Sequence, residues 1–438
     1  MKKTVIIALA VLLGFSAYAQ ETPAKFKLYG FLRNYAAIDT REVNGGTHDL
    51  YYYMPKDQLL GADGTTDLNS GLNWKFISLT TRLGLDFSGY EYQGMGISGK
   101  VEADFYSLNG TGSASTIAQF RLRQAYMSLA YNLNNGDKLV ANIGQTWHPM
   151  GADLPHGICL ESGAPFGPFN RSPQLMVHWT HGYLTLTGGL LYLSQYLPMD
   201  AEASSDGKSV KSVAPYKYGM PEEYFGITTN YGAFVSKLGF TNILTKPVRT
   251  TPDKYRASGL LDALSAFYYC QYTKDLFQVK AKVAYAQSGE HMNILSGYGL
   301  SAYDATAHEY TYTPMQDLTA YVSAQYGKKF QVLGMIGYMK QLGTTEDLIG
   351  ATVLNKSVAD GGNLWINTAA AANIQQAVRV TPTLLWNMGK LQLGLEYDYT
   401  VAQFGNAGID RNARGLYDDA DCHWIGNHRL LMMTKFNF

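Results

Sequence analysis

A transmembrane antiparallel β-barrel of about sixteen strands is the fold class this sequence predicts, and three observations predict it. Segments of alternating apolar and polar residues recur from residue 25 to the C-terminus, separated in turn by short turns and long loops. The polar rows carry charges at alternate positions, and a charge facing lipid near the midplane costs ~2–4 kcal/mol, so one face of each segment is wet. The composition agrees: charged residues are 16%, against ~25% in soluble domains, with 33 Tyr and 45 Gly. Mean hydropathy is −0.15. After the first residues no uninterrupted apolar run is long enough for a spanning helix. On composition alone, a large secreted β-sandwich is the competing class.

The chain begins with Lys2 and Lys3, an apolar run to Phe15, and Ala17-Tyr18-Ala19. That order predicts a secretory signal peptide over 1–19 and a single barrel domain over 20–438. Without Lys2 and Lys3 the chain carries 33 basic and 35 acidic residues, a net of −2, which argues against a nucleic-acid partner. Cys159, Cys270 and Cys422 have neither metal-ligand nor redox spacing.

The first strand is predicted over 25–39, with Phe26, Leu28, Gly30 and Leu32 on one face and Lys27, Tyr29, Phe31 and Arg33 on the other. It starts so soon after the cleavage site that no plug domain is expected before it. A polar loop is expected over 40–73, then a strand over 77–88 whose polar row holds Arg82 and Asp86. In the next strand Lys100, Glu102 and Asp104 share a face. Further strands are predicted over 119–133, 138–147, 174–180, 183–196, 224–231, 234–245, 260–273, 277–287, 318–326, 330–342, 375–386 and 391–404. Pro382 fits its strand poorly. The last segment, from Gly426, ends flush on Phe438. Phe436, Thr434, Met432 and Leu430 form its apolar row, and Asn437, Lys435, Met433, Leu431 and Arg429 the mixed one. It must pair with the first strand, because a sheet in lipid has to close.

Phe120-Arg121-Leu122-Arg123-Gln124-Ala125-Tyr126, followed by Gly144-Gln145-Thr146-Trp147, resembles the pattern of the DcaP-like trimeric porins and their general-porin relatives. The terminal aromatic, Phe438 with Phe436 before it, is similar to the closing strand of bacterial outer-membrane barrels. That likeness implies a barrel in the outer membrane of a Gram-negative bacterium, among lipid and lipopolysaccharide, inserted by the barrel-assembly machinery. It implies a homotrimer, passive diffusion of small hydrophilic solutes, and a third loop folded inward. Counted along the chain, that loop is 148–173.

Arg33, Arg82, Lys100, Arg121 and Arg123 lie on the wet rows of the first four strands and are expected to form a basic ladder favouring anions. Asp153, Glu161 and Arg171 on the third loop are expected at the constriction, with Glu102 and Asp104 helping the loop acids oppose the ladder. Trp147, Trp179, Trp386, Tyr397 and Tyr399 are expected in interfacial girdles or trimer contacts, the alternative being a sugar-stacking track inside the pore. Asp418, Asp419, Asp421, Cys422 and His423 match no cation-loop spacing, so no metal and no cofactor is expected. No G-x-S-x-G occurs, and His178, His181 and His428 have no Ser or Asp partner legible in the sequence, so the chain is not expected to be an enzyme. The alternatives are a loop-based adhesin or structural barrel, and an outer-membrane hydrolase.

Overall fold

In the computed structural model, which describes residues 24–46, 51–78, 80–105, 119–158, 163–367 and 371–438, the alternating segments form one closed antiparallel sheet. Its strands are β1 (Lys25–Arg41), β2 (Ser70–Ile77 continued by Arg82–Tyr92), β3 (Met95–Asp104), β4 (Arg121–Asn132), β5 (Lys138–Trp147), β6 (Arg171–His181), β7 (Leu184–Leu191) and β8 (Glu222–Tyr231). The second half is β9 (Phe234–Thr245), β10 (Leu261–Lys274), β11 (Phe277–Gln287), β12 (Glu309–Gly327), β13 (Phe330–Thr344), β14 (Ile374–Val380 continued by Thr383–Met388), β15 (Leu391–Gly405) and β16 (Cys422–Asn437). Each strand pairs with the next in sequence. The circle closes through β1 and β16 in the register Leu32↔Phe436, Arg33↔Lys435 and Asp39↔Arg429. No edge is left unpaired, as a sheet in lipid requires.

Side-chain alternation decides which face meets lipid. Phe26, Leu28 and Trp74 are 62%, 71% and 78% exposed on the outside, whereas Tyr35, Asp39 and Arg429 are buried inside. Trp386 stacks on Phe330 at the outer face, as a girdle residue does. Trp147 instead turns inward and packs against Phe169 and Arg171, so it is not part of the girdle. Seven short turns alternate with eight long connections, and the start of β1 and the end of β16 lie on the short-turn side. At the Tyr231–Phe234 turn, Gly232 takes a φ of +60°, which a side chain would strain.

Three departures from the sequence pattern have local causes. The backbone of β14 breaks at Pro382, which has no N–H to give the ladder; Thr381 restores pairing by exchanging both backbone bonds with Met335. β2 starts at Ser70 rather than Ile77, because β1 reaches past Asp39 to pair with it through Arg41. β12 starts at Glu309 rather than Leu318, since its upper part pairs with a strand, Gly297–Asp304, that belongs to the preceding loop.

The C-terminus is seated on strand β1. The Phe438 backbone N–H donates to the Gly30 carbonyl at 3.1 Å. A Cβ at Gly30 would meet both the Phe438 ring and the Arg82 carbonyl at 2.5 Å, so only glycine leaves room for the terminal aromatic. Gly30→Leu is expected to cost ~1–3 kcal/mol by overpacking. It should lower the folded fraction seen as fast-migrating species in unheated electrophoresis; a wild-type folded fraction would contradict the seating.

Candidate functional site

The lumen is narrowed by two inward-folded loops, and buried side chains of the wall hold both. The connection after β5, described over 148–158 and 163–170, runs through the interior. Lys282 on β11 donates to the carbonyls of Met150 (2.6 Å) and Ala152 (2.8 Å), and Lys280 to that of Leu154 (3.2 Å). Tyr321 on β12 donates to the Asp153 carbonyl, and the His156 N–H donates to Ser323 Oγ at 2.7 Å. The Ile158 N–H donates to Glu396 on β15 at 2.7 Å, and Tyr35 on β1 donates to the Ile158 carbonyl. The loop is thus tied to β1, β11, β12 and β15. Burial and the nearby Lys280 charge push the His156 imidazole down to about 4, so the loop adds no cation there at neutral pH.

The first long connection also turns inward, where the sequence suggested a polar surface loop. It forms a hairpin of Val43–Gly46 with Tyr51–Pro55, and Tyr52, Tyr53 and Met54 are buried. Arg379 on β14 joins both loops to the wall. It donates to the carbonyls of Tyr53 (2.7 Å) and Ala164 (3.1 Å) and to Thr400 Oγ1 (2.7 Å), and lies 3.4 Å from Asp398. Its guanidinium stacks on the Tyr52 and Phe166 rings. The strand β12–β15 side of the upper lumen is filled by apolar residues including Tyr53, Phe166, Met335 and Ile374. A cavity of about 380 Å³ with mixed polar and apolar lining lies against β5–β9, bordered by Asn142, Gln174, His178, Lys237, Trp147 and Met176 among others.

The basic residues expected in a ladder do come together on the wall of β1–β4. Arg121 makes a two-pronged pair with Asp104 (3.0 and 3.1 Å). Arg123 reaches Glu102 (2.8 Å) and Asp104 (3.0 Å), and Lys100 reaches Asp86 (2.7 Å). Arg82 lies 3.5 Å from Glu102, and Arg33 donates to Thr80 at 2.8 Å. Glu102 and Asp104 therefore do not oppose the ladder from across the lumen: they sit on β3, between Arg82 and the β4 arginines, and are interleaved with it. Asp153 does not face the ladder either, because Lys237 on β9 holds it at 2.6 Å. Arg171, where the third loop returns to β6, is buried against Trp147 and Phe169. Glu161 lies outside the described residues.

Lys435, which the expected ladder omitted, completes the wall. It stands directly opposite Arg33 across the β1–β16 seam. Directly opposed like charges are destabilising. Arg82 is the third member: Arg33, Arg82 and Lys435 lie 4.8, 5.1 and 4.5 Å from the centre of the Phe31 ring. Buried Arg33 Nη2 and Arg82 Nε have no hydrogen-bond partner. Grouped around Phe31 and the ladder, six cations (Arg33, Arg82, Lys100, Arg121, Arg123, Lys435) stand with three carboxylates (Asp86, Glu102, Asp104), a surplus of three positive charges within that group, while Lys75 and Arg429 close on Asp39 elsewhere on the same strands. Lys435 is visible in the mixed row of the last strand; its partnership with Arg33 depends on closing the barrel.

No protein-family model matches the chain, and no curated protein does. Among solved structures, the outer membrane channel DcaP of Acinetobacter baumannii matches with a TM-score of 0.61 at 17% identity, over 96% of this chain and 99% of that one. An anion-selective porin from Comamonas acidovorans matches with a TM-score of 0.51 at 10% identity, over 95% of this chain and all of that one. At these identities the likeness establishes the fold: a closed sixteen-stranded barrel shared with outer-membrane channels.

Proposed function

We propose that this barrel is an outer-membrane diffusion channel for small hydrophilic solutes and that it prefers anions. The observation that carries the reading is the cluster of Arg33, Arg82 and Lys435 around Phe31, in a luminal group with three surplus positive charges. Like charges brought this close cost stability. In a narrow, low-dielectric passage they raise the local concentration of anions. A barrel of this strand number leaves an aqueous lumen, and the two inward loops restrict it to the β1–β9 side. The outer-membrane channel DcaP and the anion-selective porin support the reading by fold. Insertion by the barrel-assembly machinery into an outer leaflet of lipopolysaccharide is proposed with it, as the resemblance implies.

Three copies are proposed to associate, as the resemblance implies, through part of the outward apolar surface. Unheated electrophoresis should show a large species that boiling collapses; a monomeric native mass would contradict it. The diffusion reading itself is tested in planar bilayers, where purified protein should give stable stepwise conductance. A folded barrel that leaves the bilayer silent would contradict it and favour the adhesin alternative. Fatty-acid release from outer-membrane lipid would favour the hydrolase.

A further inference from the structure

A second site lies at the root of the third loop, away from the cationic wall. His148 is the first residue after β5, Glu222 begins β8, and His291 sits in the short helical turn Gly289–Met292 of the loop after β11. Their side chains are fully buried. His148 Nε2 is 3.0 Å from Glu222 Oε1, and His291 Nε2 is 3.5 Å from the same oxygen. One ligand atom from each residue lies within 4.8 Å of the other two. Nothing in local spacing announces the set, since His148 and Glu222 are 74 residues apart.

The surroundings leave these donors bare. Thr241 donates its hydroxyl to Glu222 Oε1, but Glu222 Oε2 and both His291 nitrogens have no hydrogen-bond partner. The neighbouring Glu290 Oε2 and Tyr216 hydroxyl are also unpartnered. Lys282, the nearby cation, is engaged by the Met150 and Ala152 carbonyls. The buried His291 imidazole makes no hydrogen bond at Nδ1 and only a 3.5 Å ion-pair contact with Glu222 at Nε2, and an orphaned buried polar group costs about 1–3 kcal/mol, so the arrangement asks for a ligand. Two imidazole nitrogens and a carboxylate are the donor set of borderline divalent transition metals, zinc foremost.

We propose that His148, Glu222 and His291 bind one divalent transition-metal ion of the zinc class, which pins the root of the third loop to β8 and to the loop after β11. The Met150 N–H now donates to His148 Nδ1 at 3.1 Å, which keeps the proton on Nε2 facing Glu222. Metal capture at Nε2 requires that proton to move to Nδ1, so His148 stays neutral and the Met150 N–H loses its acceptor. Both imidazoles must be neutral to ligate, so uptake weakens as pH falls and imidazolium forms. Because the site is enclosed, the ion enters as the barrel folds.

The test is to fold the full chain in detergent with Zn²⁺ present, remove free metal, and measure zinc by elemental analysis. One zinc per chain is expected in the wild type and in His181→Ala, which removes an exposed histidine; His291→Ala and Glu222→Gln should lose it. Co²⁺ in place of zinc should give a visible ligand-field band that His291→Ala abolishes. Zinc retained equally by both site variants would mark surface binding only and overturn the proposal. If either variant fails to fold, the wild type still decides: a folded barrel with neither stoichiometric zinc nor a cobalt band overturns it.

Discussion

Replacing Arg33 and Lys435 together with glutamine is expected to bring the anion-to-cation permeability ratio close to unity. The two cations oppose each other across the closing seam, and with Arg82 they surround Phe31. They have the least compensation on the wall: Arg121, Arg123 and Lys100 each hold a carboxylate within 3.1 Å, whereas Arg33 holds Thr80. Removing the pair cuts the surplus of positive charge from three to one. The shift should be largest at low salt and fade as the Debye length falls from ~10 Å at 0.1 M to ~3 Å at 1 M. Relief of the like-charge contact should also leave the barrel at least as stable. An unchanged reversal potential in a folded double variant would mean that the solute path avoids Phe31.

The second large effect concerns the loops. Arg379→Ala is expected to raise single-channel conductance and to destabilise the barrel. The fully buried guanidinium ties Tyr53 of the first loop and Ala164 of the third loop to β14 and β15, and its loss takes from buried Asp398 one of the two arginines beside it, leaving Arg429. Breaking a buried pair from one side costs ~3–5 kcal/mol. With these two anchors gone the first loop and the Ala164 end of the third loop are expected to loosen. Arg379→Lys keeps the charge without the fork, so it should keep part of the stability and little of the loop anchoring. Thermal unfolding and conductance read the two effects separately. Wild-type conductance in Arg379→Ala would show that the remaining contacts of the third loop, to β1, β9, β11, β12 and β15, hold it in place without Arg379.

The strands were legible where two conditions met: strict alternation, and a tight turn at one end. β5, β9 and β11 have the bounds their alternation predicts, 138–147, 234–245 and 277–287. Where a strand runs beyond the membrane the pattern misleads. The upper part of β12, from Glu309, pairs with a loop strand, and its alternation answers to a neighbour the sequence does not announce. The buried Tyr52, Tyr53 and Met54 look like residues of an exposed loop, since nothing local signals that Arg379 and Arg429 await them inside.

The site divides the same way. That Arg82, Lys100, Arg121 and Arg123 share one wall follows from alternation along neighbouring strands. Which carboxylate each one meets does not, because that depends on register; hence Glu102 and Asp104 sit within the ladder instead of opposing it. The Arg33–Lys435 contact and the His148–Glu222–His291 cluster are set by barrel closure and loop folding, over separations no periodicity spans.

The most direct test of an anion-preferring diffusion channel is the reversal potential of the unmodified protein in a planar bilayer under a potassium chloride gradient at low salt. Stepwise conductance with a zero-current potential displaced toward the chloride equilibrium potential is the predicted result; displacement toward the potassium equilibrium potential would contradict it.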